Sequence, residues 1–303
     1  MRAMLLLLLL LSNLVNAQEN IAPTLKGEYL GQKPPGLVPE IFAPEIISGN
    51  GRLHCFPTFS PDLKEMLWFA LPPKIISMKD SLSIWTESKV VEFSQQGNNQ
   101  APFWRSDNII YFASSRAGGK GALDIWYTTK EAGSFSIPQN MGAKINTDKS
   151  ESQPTLSQNN TLFYTGFVPV KLYNRVIYCS NYEQGEYQTP LLLPEPINIM
   201  NPRILDYTPF ISPDDSYLLF CSNRQNPELE LCHIYISYKN VTGEWSKPMD
   251  LSAKMNFTQS SKFPYISPEG KYLFFSSGEN FYWVSTDTIK KIKKQLHNRR
   301  ILC

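Results

Sequence analysis

The chain has 303 residues, with 29 Lys or Arg against 27 Asp or Glu, so its formal net charge is only +2. This balance excludes a protein that binds nucleic acid through bulk positive charge, and we expect no nucleic-acid partner. Apolar residues make up 42% and charged residues 18%, a composition that argues against disorder, and the 23 prolines and 16 glycines favour short strands joined by turns over long helices.

The first residues have the pattern of a signal peptide. Arg2 precedes an apolar stretch, and Val15 and Ala17 occupy the −3 and −1 positions of a cleavage site. The apolar stretch is shorter than the roughly 20 residues that span a bilayer, so we expect no membrane anchor here. We therefore predict a signal peptide over 1–17, an N-terminal extension over 18–44, and a mature protein that is periplasmic or secreted.

Five segments repeat one pattern, in which a short strand containing a proline leads into a tight turn. The segments are Phe56–Asp62, Ala101–Asp107, Gln153–Asn159, Thr208–Asp214 and Phe263–Glu269. Each is followed by an aromatic and β-branched run that predicts a second strand. The prolines recur at intervals of 45, 52, 55 and 55 residues, near the length of one four-stranded propeller blade.

The two ends of the chain are predicted to close these blades into a ring. The fifth repeat lacks an outer strand, whereas Glu45–Ser48 looks like an outer strand without a blade of its own. Stacked blades hide both faces only when they close on one another, so we predict that this segment pairs with the third strand of the last blade, Phe281–Val284. The prediction is an all-β, five-bladed β-propeller over 45–286. Six blades, with a degenerate blade built from Gly27 to Ser48, is the alternative.

The motifs of these repeats resemble those of a known family. Ser212–Asp214 followed by an aromatic strand resembles the TolB-like, WD40-like (PD40-type) β-propeller repeat, and so does Ser114–Arg116 with Asp124–Trp126 after it. The resemblance covers roughly Gly27 to Ser285. The two ends of this segment resemble those of secreted bacterial members of the family. It departs from the family at Gln158–Asn160, where Pro-Asp-Gly is usual. The family includes scaffolds, sensor domains and enzymes, so the resemblance implies a fold and leaves the function open.

The sequence offers little familiar catalytic chemistry. Nucleophile-elbow, P-loop, dinucleotide-binding and zincin motifs are absent. The three histidines, His54, His233 and His297, are dispersed, and no Cys/His spacing is typical of zinc, so we expect no metal and no cofactor.

The chain contains five cysteines, which are Cys55, Cys179, Cys221, Cys232 and Cys303. A hairpin folded about its midpoint near Asn226 would place Cys221 opposite Cys232. The sequence therefore predicts either a cross-strand disulfide or two small buried apolar side chains.

Candidate binding residues lie in the loops that enter the innermost strands. They are His54, Asn99, Glu151, Asp206 and Lys262. These residues either face the channel and bind a ligand or are solvated loop tips. Glu151 and Asp206 lie at equivalent places on adjacent blades. The two carboxyl groups of a glycosidase are about 5 to 9.5 Å apart, and this pair is placed where it could meet that distance.

The sequence favours an exported, non-catalytic propeller that binds a protein, peptide or glycan at one face. A carbohydrate-processing enzyme, a hydrolase or lyase using Glu151 and Asp206, is the alternative.

Residues 287–303 are predicted to form a basic C-terminal helix. Ile289, Ile292 and Leu296 fall at helical spacing, which indicates an apolar stripe packed under the ring with the lysines in solvent. The alternative is a weak attraction of this basic segment to an anionic envelope surface or to a partner. We expect a monomer that does not span a membrane.

Overall fold

In a computed structural model, which describes residues 25–48, 55–105, 108–168, 175–229 and 231–301, the chain forms five antiparallel sheets arranged as the blades of a propeller. The predicted all-β, five-bladed fold is confirmed. The six-bladed alternative is wrong, because residues 27–48 contribute one short strand to an existing sheet instead of a blade. The predicted signal peptide, His54 and Cys303 lie outside the described residues.

The strands follow the repeats in chain order. Strand β1, Glu40–Phe42, precedes the first blade. Blade 1 contains β2 (Thr58–Phe59), β3 (Glu65–Ala70), β4 (Lys74–Ser81), β5 (Ile84–Trp85) and β6 (Lys89–Val90). Blade 2 contains β7 (Asn99–Trp104), β8 (Ile109–Ser114), β9 (Asp124–Glu131), β10 (Ser134–Phe135) and β11 (Gln139–Asn140). Blade 3 contains β12 (Ser152–Leu156), β13 (Leu162–Phe167), β14 (Arg175–Ser180) and β17 (Leu191–Leu192), with a separate hairpin of β15 (Tyr182–Glu183) and β16 (Glu186–Tyr187).

Blade 4 contains β18 (Asp206–Ile211), β19 (Tyr217–Ser222), β20 (His233–Tyr238) and β21 (Met249–Asp250). Blade 5 contains β22 (Lys262–Ile266), β23 (Tyr272–Ser277) and β24 (Asn280–Ser285). Two α-helices, α1 (Leu251–Lys254) and α2 (Asp287–Ile301), and three 3₁₀ turns, Glu28–Gly31, Glu92–Ser94 and Pro227–Leu229, complete the described elements.

A β-bulge recurs in the innermost strands of blades 2 to 5. In each, the residue before the repeated proline has a left-handed backbone, and the pairing register shifts there. These residues are Ala101 (φ 51°), Gln153 (φ 48°), Thr208 (φ 50°) and Phe263 (φ 57°). Proline has no N–H to give to a ladder, and a bulge accommodates it within a strand. The repeated proline therefore marks a repeated break in the pairing next to the axis.

The N-terminal strand closes the ring, as predicted, but it is not the segment that the sequence indicated. Strand β1 pairs antiparallel with β24, with Phe42 opposite Phe281. The prediction that Glu45–Ser48 forms this strand is wrong: Ala43 has a φ of 47°, and the chain turns there. Ser48 still contacts the last blade, because its Oγ accepts the N–H of Phe281 at 2.9 Å.

Residues 26–42, which we call the N-terminal strap, connect the last blade to the first. The indole N–H of Trp85 in blade 1 donates to the carbonyl of Gly27 at 2.7 Å. The Tyr29 ring lies among the rings of Phe59, Tyr272, Phe274 and Trp283 at centroid distances of 5.1 to 5.9 Å. Its hydroxyl donates to the Glu269 carboxylate at 2.5 Å. The strap thus removes the open edges that blades 1 and 5 would otherwise present.

Helix α2 packs one face against the ring. Ile289 and Ile292 are buried, as the helical spacing predicted, and the Lys293 ammonium lies 5.7 Å from the centroid of the Tyr238 ring. None of the described helices is long and apolar enough to cross a membrane.

The loop between β4 and β5 has a strained backbone that a glycine would relieve. Its two-residue loop is Leu82-Ser83, and both residues have positive φ, 55° and 65°. The matching loop of blade 2 is Ala132-Gly133. An L-residue in the left-handed region costs about 1–2 kcal/mol, and glycine avoids most of this cost.

Ser83→Gly is therefore expected to stabilise the protein by about 0.5–1 kcal/mol and to raise Tm by about 1–3 °C in a thermal melt. Gly133→Ser is the reciprocal control, since nothing lies within 4 Å of an added Cβ there. It should lower Tm by a similar amount. Equal Tm values in all three proteins would contradict the assignment of strain to this loop.

Candidate functional site

The structure places three of the predicted site residues at the starts of innermost strands, where they are buried. Asn99, Glu151 and Asp206 are each at most 3% exposed, so they are not solvated loop tips. Each side chain is engaged within its own blade or with the connection from the preceding blade, as described below. Lys262 is partly buried in β22, and the carbonyl of this residue accepts the Ser276 hydroxyl at 3.4 Å.

Asp206 is held by an arginine that joins blade 4 to the connection before it. The Arg224 guanidinium donates to the Asp206 carboxylate and to the carbonyl of Ile197, both at 2.6 Å. It also lies 5.0 Å from the ring centroids of Phe220 and Tyr235. Burial raises the pKa of Asp206, although the Arg224 charge acts in the opposite direction. We call this arrangement, an arginine bound to the first residue of an innermost strand and to a carbonyl of the preceding connection, a blade latch.

Blade 2 has an equivalent blade latch around Asn99. The Arg116 guanidinium donates to the Asn99 carbonyl oxygen at 2.8 Å and to the backbone carbonyl of Phe93 at 2.7 Å. It lies 4.8 Å from the ring centroid of Phe112 and 5.3 Å from that of Trp126. The recurrence of this geometry in two blades points to a structural role for Asn99 and Asp206, namely fixing the angle between neighbouring blades.

Glu151 occupies the corresponding place in blade 3 with different partners. Its carboxylate accepts the backbone N–H of Thr147 at 3.0 Å and the Thr147 hydroxyl at 2.6 Å. Burial raises the pKa of Glu151 above its ordinary value of 4.5, against the effect of these hydrogen bonds. Among the described residues, Glu151 and Asp206 share no hydrogen-bond partner.

The two cysteines predicted to face each other do not do so. In the hairpin of β19 and β20, Cys221 lies opposite Ile234, because the pairing partner is two residues further along the chain than the sequence suggested. Both thiols are buried, and they do not form a disulfide with each other. The Cys221 sulfur accepts the Thr208 hydroxyl at 2.7 Å and the Cys232 sulfur accepts the Tyr207 hydroxyl at 3.3 Å. They match the other prediction, two small buried side chains.

The concave site of the ring lies at the opposite ends of the innermost strands. There the last residues of these strands and the turns that follow enclose an axial pocket of about 250 Å³, to which all five blades contribute. Its wall is mostly aromatic and aliphatic and contains Phe59, Phe103, Trp104, Leu156, Phe210, Ile211, Tyr265 and Ile266. An apolar pocket with a few polar groups at its edge is the usual form of a ligand site.

The mouth of the axial pocket is asymmetric. The turns of blades 1, 4 and 5 contribute prolines, which are Pro61, Pro213 and Pro268. Blade 3 contributes Gln158 at the position of these prolines, and blades 2 and 3 contribute Arg105 and Ser157 at the position before it, where blade 5 contributes Ser267. One side of the mouth is therefore apolar and the other side is polar.

The sequence did not predict this pocket, because the candidate residues were taken from the loops before the innermost strands and the pocket lies where those strands end. The departure from Ser-Pro-Asp at Gln158–Asn160 was visible in the alignment of the repeats and coincides with the polar side of the mouth. That departure is the signal that could have identified it.

Comparison with known proteins supports the fold alone. No protein-family model matches the chain, and no curated protein matches it. An endo-arabinase from Bacteroides thetaiotaomicron has a TM-score of 0.54 and 15% identity, over 79% of this chain and 95% of that one. A TolB protein from Agrobacterium tumefaciens has a TM-score of 0.48 and 19% identity, over 75% and 70%. A gluconolactonase from Xanthomonas campestris has a TM-score of 0.46 and 9% identity, over 86% and 96%.

Proposed function

We propose that this protein is an exported, non-catalytic binding module whose ring presents the axial pocket to a ligand. The observation that carries the proposal is the lining of that pocket. Among the described residues that line it, none is Asp, Glu, His, Cys or Lys, so its serines, Ser157 and Ser267, have none of the usual general bases beside them in the lining. Such a wall is suited to holding an apolar group and offers little to a reaction.

The carboxylates predicted as a catalytic pair support the same proposal. Asp206 is hydrogen-bonded to Arg224 and to the N–H of Ile199 at 2.8 Å, and Glu151 is bound to Thr147. A glycosidase needs two carboxyl groups that both reach the glycosidic bond. Here each carboxylate is already engaged, Asp206 by the partly buried Arg224 and Ile199, and Glu151 by Thr147 of the connection before its blade. Releasing Asp206 would leave the Arg224 guanidinium without its anion.

A carbohydrate-processing enzyme remains the second candidate, on one observation. Burial raises the pKa of both Glu151 and Asp206, and a raised pKa is the property that a general acid requires. The two candidates differ in whether a product forms.

A glycan panel assayed for new reducing ends, and for the unsaturated products of a lyase, separates these candidates. The binding-module proposal expects no product from the wild-type protein. Turnover that is lost in Glu151→Gln, with the fold intact and with activity retained in the exposed control Glu183→Gln, would overturn the proposal in favour of the enzyme.

The same Glu151→Gln variant has an expected effect on stability. Because the folded-state pKa of Glu151 is raised, its contribution to stability is present below about pH 4.5 and is lost as the pH rises through the raised pKa. Glutamine keeps the neutral form and can still bond Thr147. In urea titrations the variant should equal or exceed the wild type at pH 7 by up to about 1 kcal/mol, with the difference closing toward pH 4.5. A variant that is less stable at pH 7 would contradict this.

A further inference from the structure

The size of the axial pocket limits what it can hold. Its volume of about 250 Å³ exceeds the roughly 150 Å³ of a cavity that takes up benzene. It is smaller than the roughly 300 Å³ at which pockets for drug-sized ligands begin. An occupant therefore has one ring or two fused rings inside the pocket, with any remainder outside the mouth.

The wall of the pocket excludes a sugar ring as this occupant. Each buried hydroxyl without a hydrogen-bond partner costs about 1–3 kcal/mol, and a pyranose carries several hydroxyls around its edge. The inner wall consists of side chains such as Phe103, Leu156, Phe210 and Ile266, which offer no hydrogen bonds. The sequence left a protein, a peptide or a glycan as the ligand, and of these three a glycan fits this apolar wall least.

The turn of blade 3, at the polar side of the mouth, is tighter than those of blades 1, 4 and 5. In blades 1, 4 and 5 the turn serine bonds twice to the residue five positions later, donating its N–H and accepting that residue's N–H at its hydroxyl. These serines are Ser60, Ser212 and Ser267. In blade 3 the N–H of Ser157 instead donates to the carbonyl of Thr161, four positions later.

The shorter turn leaves the Ser157 hydroxyl without its repeat partner. Ser157 is 1% exposed and lines the pocket, and its Oγ has no hydrogen-bond partner among the described residues. An unsatisfied donor at one side of an apolar pocket is matched by a ligand that brings a hydrogen-bond acceptor to that side.

The charge of the pocket indicates which acceptor this is. Arg105 is the cation of the lining, and no acidic residue lies among the described lining residues. Arg105 interacts with a further group as well, so it contributes positive charge to this side rather than an unoccupied donor. A carboxylate is the group that both a cation and neutral donors favour.

We propose that the axial pocket binds a flat apolar group of one or two rings that carries a carboxylate, with the rings against the aromatic wall and the carboxylate toward Ser157 and Arg105. The source is either a small aryl carboxylate or the C-terminal aromatic residue of a peptide. This inference rests on the proposed function, because it assigns a ligand class to the same pocket.

The probes are 1-naphthoate and its neutral amide, and the peptide acetyl-Gly-Gly-Trp with a free C-terminus and as its C-terminal amide. Binding to the full chain is measured by calorimetric titration. Each acid should bind at least about tenfold more tightly than its amide, the margin of a charge-assisted hydrogen bond. Saturable binding of naphthoate alone identifies a small-molecule site. Binding of the free-acid peptide identifies a peptide C-terminus.

Matched variants locate the binding. Ser157→Ala and Arg105→Gln should each weaken naphthoate binding about five- to tenfold or more and leave amide binding unchanged. Ser212→Ala removes the equivalent serine of blade 4, which bonds within its own turn, and should not change affinity. Gln158→Trp places a ring at the exposed edge of the mouth and should abolish binding, whereas Asn159→Trp, one residue further on, should not.

The proposal is overturned if acid and amide bind equally, if no probe binds, or if Gln158→Trp leaves affinity unchanged while circular dichroism shows an intact fold. Because Gln158 is exposed, the Gln158→Trp result stands even where a buried substitution such as Ser157→Ala lowers stability. If these tests fail and no glycan is turned over, the ligand class proposed here is wrong and the binding-module function still stands, with another ligand. Glycan turnover refutes the binding-module function independently of the probe results.

Discussion

Replacing Phe42 with Ala is expected to destabilise the protein by about 3–5 kcal/mol, the cost of removing a phenyl ring from a packed core. Phe42 is fully buried, with its ring centroid 5.1 Å from that of Phe274 and 5.2 Å from that of Trp283. It also lies in β1, so the substitution weakens the only strand that covers the outer edge of blade 5 in the described structure. Equilibrium unfolding in urea, followed by tryptophan fluorescence, measures the change.

Ile41→Ala is the matched control. Ile41 is the residue next to Phe42 in β1, lies on the opposite face of the sheet and is 36% exposed. It should cost less than about 1 kcal/mol. If both variants lose the same stability, the effect is due to the strand as a whole and not to the aromatic packing that we assign to Phe42. If neither loses stability, ring closure by β1 contributes little.

Replacing Arg224 with Met is expected to cost about 3–5 kcal/mol, because it leaves the buried Asp206 carboxylate without its cation. The Arg224 side chain is 11% exposed and that of Asp206 is 1% exposed, so water cannot replace the lost partner. Removing the cation raises the pKa of Asp206 further, and folding then favours its protonated form. The deficit should therefore be largest at neutral pH and shrink as the pH falls.

Two controls separate this latch from ordinary surface pairing. The double variant Arg224→Met with Asp206→Asn removes both charges and should recover a large part of the lost stability. Arg203→Met breaks an exposed pair with Glu228, whose side chains are 71% and 74% exposed, and should cost less than about 1 kcal/mol. An Arg224→Met deficit that does not change with pH would contradict the role given to Asp206.

The fold could be predicted because the same physical requirement recurs five times in the sequence. Each blade needs a buried aromatic strand after a turn, and the runs at Glu65–Ala70 and Tyr272–Ser277 follow their prolines at similar distances. The closing strand could not be placed as well. Its apolar neighbours Ile46 and Ile47 have the composition of a strand, but the left-handed backbone at Ala43 reverses the chain before them. Nothing in a short apolar pattern reports that reversal.

The candidate site was harder to predict for a different reason. Polar residues before a strand look like solvated loop residues, yet Asn99 and Asp206 are buried by arginines far from them in the sequence, Arg116 and Arg224. The axial pocket exists only where strand ends from five separate repeats converge. The Ser157 hydroxyl at its polar side lacks a partner within the described part of the chain, because its turn is one residue shorter than those of blades 1, 4 and 5, and this consequence appears only in three dimensions.

The N-terminal strap also determines when the ring of blades can close during synthesis of the chain. Tyr29 hydrogen-bonds Glu269, 240 residues later, so Tyr29 leaves the ribosome long before its partner is synthesised. Until then a nascent chain exposes unpaired blade edges, which are prone to join those of other chains. A chain stalled before the fifth blade would therefore be a substrate for chaperones or proteases, even with four intact sheets.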